Sequence, residues 1–204
     1  NKSFNMSSKS KEIIQAIIDK GGLGASFIEN HYLCIKVISG HLTKLLRQLR
    51  DSAKLRFTVL TDLFAADFPD KLHRFEIVYN LLSLENNERV IVKTNLYDGE
   101  AVPSICNIFS AAQWYEREIF DLFGVEFNGH PDMRRILTDY GFSGHPLRKD
   151  FPVTGYVQVR YDSNLEKVIN EPVKLQQAFR EFDFMSPWQG PNYTLPGDEK
   201  ANKG

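Results

Sequence analysis

The sequence predicts an α+β fold in which helices pack on one face of a mostly antiparallel sheet, followed by an extended, largely irregular C-terminal extension. The first observation is the element order, since a helix, a hairpin, a second helix and three strands follow one another up to residue 96. The second is the short turns between strand segments, which favour antiparallel pairing. The third is the loss of periodic patterns and the recurrent proline beyond Gly124. We therefore expect an α+β domain at residues 1–124 and an extended, partner-wrapping region at residues 125–204.

The first half of the domain predicts two amphipathic helices that flank a hairpin. Ser8 or Ser10 can cap the first helix, and Gly21 can end it. Glu29 and Asn30 suit the tight turn of the hairpin. Leucines repeat at three- and four-residue spacing in the second helix, as is typical of a helix packed on a sheet. The predicted elements, in chain order, are a helix at 8–20, strands at 24–28 and 32–38, and a helix at 41–51.

The second half of the domain predicts three strands and a third helix. Asn and Glu at residues 85–88 mark a turn, so the second and third of these strands should form an antiparallel hairpin. Ser110 can cap the helix that carries residues 114–123, and Gly124 ends it. Beyond it, only residues 171–182 suit a short helix, so the C-terminal region must lie on the domain or on another protein. The three strands are predicted at 57–64, 74–84 and 89–96.

The composition argues against several classes of function. The 204 residues are 42% hydrophobic and 25% charged with a formal net charge of -1, so no charge bias points to nucleic acid or to a lipid surface. Cys34 and Cys106 are too few for a disulfide scaffold or an iron–sulfur cluster, and we expect both to be reduced, buried thiols. The sequence has no apolar run of about 18 residues, so we expect no membrane span.

The third helix carries carboxylates that could act in acid–base chemistry. Glu116 and Glu118 are two residues apart, so their side chains point about 200° away from each other and cannot serve one reaction centre. Arg117 and Asp121 are four apart and can form an ion pair on one face. The aromatic residues around them indicate that these charges are partly desolvated.

Two histidines lie in Gly-His-Pro turns. His130 and His145 are fifteen residues apart with no thiolate near them, which does not match the ligand spacing of zinc sites. We expect no metal here, even with Asp132, Asp139 or Asp150 as additional ligands. Instead, each glycine sets the backbone angle, each histidine caps or bonds the neighbouring backbone, and each proline fixes the exit direction.

Cations and aromatics alternate through the C-terminal region. This composition can bind single-stranded nucleic acid, but interleaved aspartates cancel most of the field, and a protein interface fits better. An autonomous enzyme is a competing hypothesis, with a cleft lined by Glu118, Asp121, His130 and Asp139. Nucleotide motifs are absent, since the glycines at 21–24 follow a helix and not a strand. The cations are Arg134, Arg135, Arg148, Lys149 and Arg160.

The third helix and the loop after it resemble a family of peripheral-arm subunits of respiratory complex I, which comprises NADH dehydrogenase subunit 9 and its bacterial counterparts. The resemblance covers about residues 55–190, and includes ILTDYGFSGHPLRKDFP, VQVRYD, FREFDF and SPW. The residues that carry it most specifically are Glu116, Arg117, Glu118, Asp121, Leu122, Phe123, His130, Arg134 and Ile136.

The resemblance implies a non-catalytic structural and assembly subunit of NADH:ubiquinone oxidoreductase. Such a subunit supports the hydrogenase-large-chain-like neighbour that forms the quinone site, and its C-terminal extension wraps that neighbour. FMN, iron–sulfur clusters and ubiquinone are expected on other subunits, and none in this chain. The expected location is peripheral, on the matrix side of the mitochondrial inner membrane or the cytoplasmic face of a bacterial plasma membrane.

The resemblance also implies which residues face partners. We expect replacement of Arg134 or Arg148 by alanine to lower the amount of assembled complex before it changes turnover. The residues expected at the partner interface are Glu116, Arg117, Glu118, Asp121, His130, Arg134, Arg135, Asp139, His145, Arg148, Lys149, Asp150, Arg160 and Trp188.

Overall fold

The computed structural model of the chain describes residues 6–175 and residue 177. The described part divides at Gly155 into two compact units. The first unit contains helices α1 (Ser8–Gly21), α2 (Leu42–Asp51) and α3 (Ala112–Phe123), a 3-10 turn at Ser39–His41, and strands β1 (Ala25–Glu29), β2 (Tyr32–Lys36), β3 (Val59–Asp67), β4 (Phe75–Ser83), β5 (Glu88–Leu96), β6 (Val102–Pro103) and β7 (Phe127–Asn128).

Five strands form the main sheet in the order β1-β2-β5-β4-β3. Neighbours pair antiparallel except β2 and β5, which are parallel. The predicted α+β class with a mostly antiparallel sheet is therefore confirmed. The hairpin between β4 and β5 was also predicted correctly, and Asn87 adopts φ 50° in its turn, a conformation that Asn tolerates better than most residues.

The core lies between the helices and one face of the sheet. Alternate residues of β5 are buried, because side chains on a strand point to opposite faces in turn. Tyr79 and Val92, which pair across β4 and β5, are fully buried on the core face. All the leucines of α2 are buried against the same cluster, as their spacing predicts, and these are Leu42, Leu45, Leu46 and Leu49.

The compact first unit extends further along the chain than the predicted domain boundary at residue 124. Val125 and Phe127 belong to its hydrophobic core, and Phe127 pairs with Val102 in the short parallel ladder of β6 and β7. The chain then follows the surface of the same unit up to Gly155. Part of the proline-rich region thus folds on its own domain, which was one of the two alternatives that the sequence left open.

The second unit begins at Tyr156 and contains a hairpin that was not predicted from the sequence. Strands β8 (Val157–Asp162) and β9 (Lys167–Pro172) pair antiparallel. The helix predicted at 171–182 was wrong at its start, because Glu171 and Pro172 end a strand. Residues 178–182 and Trp188 lie outside the described residues.

Candidate partner-binding surface around the third helix

The C-terminal end of α3 is capped by the second Gly-His-Pro turn. Helices end with carbonyl groups that have no partner inside the helix. Here His145 Nδ1 lies 2.9 Å from the carbonyl of Asp121, the N–H of Leu147 donates to Leu122, and Arg148 Nε donates to Phe123. Three successive carbonyls are thus satisfied by three residues within one short stretch of the loop. His145 thus caps a backbone group, one of the two roles predicted for the histidines of the Gly-His-Pro turns, but this backbone is 24 residues away in the sequence and does not belong to the turn itself.

Gly124 makes this close approach possible. It adopts φ +75° at the C-cap of α3, and its N–H donates to the carbonyl of Phe120. A Cβ at this position would lie 2.6 Å from the His145 ring, well inside contact distance. The ring itself packs edge-on against Phe120, with 6.4 Å between centroids. Glycine is therefore required both for the backbone angle and for the space.

The buried carboxylate of Asp121 holds a second part of the loop. Its oxygens accept the N–H groups of Ile136, Leu137 and Thr138 and the hydroxyl of Thr138, at 2.5 to 3.0 Å. Arg135 Nη1 pairs with the same carboxylate at 2.9 Å. Burial by itself raises the pKa of Asp121, but the hydrogen bonds together hold that pKa well below its ordinary value.

Arg117 does not form the ion pair with Asp121 that helical spacing allowed. Its guanidinium instead donates to the carbonyl oxygens of Arg134 and Arg135 at 2.9 and 3.0 Å. The carboxylate of Asp121 pairs with Arg135 instead, so Arg117 and Asp121 hold the same loop at different points. The side chain of Arg134 lies outside this contact: it pairs with Asp132 and is 71% exposed.

A partly buried ion-pair network ties the next part of the loop to the end of β3 and to the residue that precedes β4. Arg74 makes a bidentate pair with Asp67, whose side chain is fully buried, and also reaches Asp150 at 3.0 Å. The N–H of Lys149 donates to the same Asp67 carboxylate at 2.8 Å. The Arg74 guanidinium, together with this N–H, holds the pKa of Asp67 below its usual range although burial opposes it. Arg148 extends the network to Asp98 at 3.0 Å.

Glu116 performs a structural task inside the domain. It is fully buried, and its carboxylate accepts the N–H of Ile105, the hydroxyl of Ser104 and the thiol of Cys106. Burial raises its pKa, and these hydrogen bonds only partly oppose the shift. Glu118 is exposed on the opposite side, so the two carboxylates do not share a centre, as the helical geometry predicted.

One group of possible metal ligands occurs among the described residues. A thiol, a carboxylate and an imidazole, those of Cys106, Glu116 and His130, lie within 4.8 Å of one another. His130, however, uses both ring nitrogens: Nδ1 accepts the N–H of Asp132, and Nε2 lies 3.0 Å from the carbonyl of Gln113. Burial raises the pKa of the Cys106 thiol to about 11. A metal ion bound here would have to displace a hydrogen bond of the His130 ring and the proton of the Cys106 thiol.

The loop held by α3 presents apolar side chains to solvent. Tyr140 is 100% exposed and Leu137 is 62% exposed, although the backbone beside them is fixed by Asp121. Phe142 is 36% exposed, and the guanidinium of Arg135 lies 5.8 Å from its ring centroid. Trp114, on α3 itself, is 69% exposed. Exposed aromatic residues on an ordered backbone are typical of protein interfaces.

The structure sorts the residues that the sequence singled out for a partner interface. Trp188 is outside the described residues, and Arg160 lies in the second unit, where it pairs with Asp162 and Glu171. The buried members are Glu116 and Asp121; the partly buried ones are Arg117, His130, Arg135, His145 and Arg148; the exposed ones are Glu118, Arg134, Asp139, Lys149, Asp150 and Arg160.

Several residues at this surface were not identified from the sequence. Arg74, Asp67 and Asp98 lie far from the loop in sequence, and nothing local marks them as its anchors. Thr138 and Tyr140 lie within the stretch ILTDYGFSGHPLRKDFP that carries the family resemblance. Their opposite roles, since Thr138 bonds Asp121 and Tyr140 faces solvent, depend on the loop conformation.

In the part of the chain that the structure describes, no helix has the length and apolar character needed to cross a bilayer.

The chain is similar to known proteins over most of its length. Residues 35–157 match the family model described as respiratory-chain NADH dehydrogenase, 30 Kd subunit. The NADH-quinone oxidoreductase C subunit of Rickettsia bellii is 55% identical over 192 residues, which cover 94% of this chain and 98% of that protein. The corresponding protein of Rickettsia typhi is 58% identical over 172 residues, or 84% and 87% of the two chains.

Two solved structures share the fold. A chain of the membrane-bound sulfane sulfur reductase, an archaeal respiratory membrane complex, is 29% identical with a TM-score of 0.63, covering 79% of this chain and 100% of that one. The trypsin-resistant fragment of Nqo5 has a TM-score of 0.52 at 24% identity, covering 60% and 98%. The resemblance noted in the sequence is thereby confirmed, and the chain belongs to the family of the 30 Kd subunit of respiratory-chain NADH dehydrogenase.

Proposed function

We propose that this chain is a non-catalytic structural subunit of the peripheral arm of NADH:ubiquinone oxidoreductase. Its relatives are named as the C subunit of NADH-quinone oxidoreductase, so they belong to a complex of several chains. In this proposal the chain supports the hydrogenase-large-chain-like subunit that forms the quinone site. The complex lies on a membrane, and this chain lies on its matrix or cytoplasmic side. FMN, the iron–sulfur clusters and ubiquinone bind to other subunits.

The observation that carries the proposal is the pairing of a rigidly held backbone with outward-facing apolar side chains. Asp121 binds residues 135–138 through its carboxylate, which leaves Leu137 and Tyr140 directed away from the domain. Ordering a loop before binding lowers the entropy lost on association. A surface of this kind suits assembly with another protein. In contrast, the side chains of Glu116, Arg117 and Asp121 on α3 already have partners within the chain.

The hairpin of the second unit gives independent support. Val157, Val159 and Tyr161 alternate along β8, and Val168 faces Tyr161 across the ladder. These side chains are 58 to 62% exposed, whereas the other face carries the hydrogen bond between Gln158 and Glu171. An isolated two-stranded hairpin is only marginally stable in water. Its apolar face therefore suits a neighbouring chain, consistent with a partner-wrapping C-terminal region.

A complementation experiment tests the proposal. Cells that lack the native subunit receive the wild-type chain, the Tyr140→Ser variant, or Leu84→Ser, which alters a 67% exposed residue in the turn between β4 and β5. Assembled complex is measured on native gels, and NADH:quinone turnover is measured per assembled copy. We expect Tyr140→Ser alone to reduce assembly while turnover per copy is unchanged. Normal assembly with lost turnover would instead indicate a direct chemical role.

A further inference from the structure

The cluster of Cys106, Glu116 and His130 lies just beyond the ends of the short strands β6 and β7. These strands are parallel, with Pro103 beside Asn128, so the residues that follow each strand meet at the same edge of the ladder. Cys106 follows β6, His130 follows β7, and α3 carries Glu116. One ligand atom of each residue lies within 4.8 Å of the other two. The sequence hides this cluster, because Cys106 and His130 are 24 residues apart.

The three side chains form a donor set that is typical of zinc. Zn²⁺ binds thiolate, imidazole and carboxylate groups at about 2.0 to 2.3 Å, so the ligand atoms around a tetrahedral ion are roughly 3.3 to 3.8 Å apart. The Cys106 sulfur and Glu116 Oε2 already lie 3.4 Å apart. The limit of 4.8 Å for the whole cluster exceeds the spacing in a zinc site by only about 1 Å. A small rotation of the half-buried His130 side chain can close that difference.

The carboxylate of Glu116 is fully buried, and its hydrogen bonds come from neutral groups. It accepts the N–H of Ile105, the hydroxyl of Ser104 and the thiol of Cys106. Buried charges in proteins are usually paired with an opposite charge or bound to a metal, because removing an unpaired charge from water is costly. A divalent cation would supply the positive charge that these donors lack.

His130 already makes the backbone contact that is usual for a zinc-bound histidine. Such a histidine donates its second ring N–H to a carbonyl or a carboxylate, which fixes the orientation of the ring. His130 Nε2 lies 3.0 Å from the carbonyl of Gln113. With Nδ1 as the ligand atom this contact remains, and only the N–H of Asp132 has to leave the ring. The thiol proton of Cys106 is displaced as well, as it is from any thiol that coordinates zinc.

We propose that Cys106, Glu116 and His130 bind one Zn²⁺ ion, with a water molecule as the fourth ligand. Cys106 and His130 are half-buried, so the ion enters from solvent between them, and the buried Glu116 lies at the inner side of the site. The ion joins the turn before α3 to the loop after β7, and its role is structural. The inference concerns the folded chain alone and does not depend on the proposed function in the complex.

Cobalt substitution in the purified full chain tests the thiolate ligand. Co²⁺ bound in this site should give a thiolate-to-metal charge-transfer band and the visible bands of a tetrahedral ion, and Zn²⁺ should displace it. Cys34→Ser is the matched control, since Cys34 is the other thiol of the chain. We expect the charge-transfer band in the wild type and in Cys34→Ser, and its loss in Cys106→Ser. The absence of this band from the wild type, or its survival in Cys106→Ser, would overturn the proposal.

Zinc-dependent stability of the full chain tests the imidazole ligand. Zn²⁺ at about 100 times its dissociation constant should raise the ratio of folded to unfolded chain about hundredfold. This increase should disappear in His130→Asn and remain in His31→Asn, where the replaced histidine is exposed in the turn between β1 and β2 at φ 71°, an angle that Asn tolerates. Each variant is compared with itself without zinc, so a change in its intrinsic stability does not affect the result. Equal stabilisation of the two variants by zinc would contradict the proposed site.

Discussion

Thr138 donates both its backbone N–H and its hydroxyl to the buried carboxylate of Asp121. The two residues are seventeen apart in sequence, and their contact joins the last turn of α3 to the middle of the loop that follows it. Ile136 and Leu137 add their N–H groups to the same carboxylate, so one side chain fixes a whole stretch of backbone. The loop conformation therefore depends on the charge of Asp121.

Replacement of Asp121 by asparagine should destabilise the chain by about 3 kcal/mol, because an amide NH₂ would then face N–H donors and Arg135 would lose its counter-charge. Denaturant unfolding of the purified chain measures this loss. Asp139→Asn is the matched control, since Asp139 is exposed in the same loop. Equal stability of the Asp121 and Asp139 variants would show that the carboxylate does not organise the loop.

The depressed pKa of Asp121 predicts a specific acid sensitivity. Because the folded-state pKa is below the unfolded value of about 3.9, its contribution to stability is complete above that pH and is lost as the pH falls through the folded-state pKa. The wild type should therefore lose stability below about pH 4 more steeply than Asp121→Asn. Unfolding free energies measured across this range test the point, and parallel pH profiles for the two proteins would refute it.

Glu116 predicts the opposite dependence. Its folded-state pKa is raised, so its contribution favours folding below the unfolded value of about 4.3 and is lost as the pH rises through the folded-state pKa. In Glu116→Gln the side chain is neutral at every pH, and its amide oxygen can take the place of the carboxylate oxygen that accepts the N–H of Ile105. The stability of this variant relative to the wild type should therefore improve as the pH rises above about 4.3. A difference between the two proteins that does not vary with pH would contradict this account.

Comparison of Gly124→Ala with Gly141→Ala separates the cost of backbone strain from the cost of steric crowding. Gly141 is the control, because it adopts φ +84° with nothing within 4 Å of the place a Cβ would take, whereas Gly124 at φ +75° faces the His145 ring. Gly141→Ala should cost about 1 kcal/mol, the usual cost of placing alanine at positive φ. Gly124→Ala should cost about 1 to 3 kcal/mol more, since the ring must move from its contact with the helix end. Thermal or denaturant unfolding distinguishes the two costs, and equal losses would show that the His145 ring yields freely.

The two arginines that the sequence treated alike should behave differently. Arg148 caps Phe123 and pairs with Asp98, whereas Arg134 is 71% exposed beside Asp132. Arg148→Ala should destabilise the isolated chain by about 2 kcal/mol, and Arg134→Ala by less than about 1 kcal/mol. Unfolding of both variants outside the complex tests this difference. If Arg148→Ala left the isolated chain unaffected, its contacts inside the chain would not be stabilising.

The sequence predicted the regular elements well because their signals are local. The leucine spacing of α2 and the turn residues between β4 and β5 depend on neighbours a few positions away. The loop after Gly124 was harder, because it has no periodicity and its shape depends on partners distant in the chain. In the loop, Asp150 pairs with the distant Arg74, and Thr138 donates to the distant Asp121. The hairpin of the second unit was missed although β8 alternates apolar and polar residues, since the prolines of this region suggested irregular structure.

Hydroxyl-radical footprinting of Tyr140 tests the central claim most directly. In the isolated chain this ring is 100% exposed on a backbone that Asp121 fixes, so it should oxidise rapidly. In the assembled complex it should be protected by roughly tenfold or more, because a buried interface anchor is removed from solvent, while exposed Leu84 keeps its reactivity. Equal oxidation of Tyr140 in the isolated chain and in the complex would contradict the claim that this loop is a preformed partner surface.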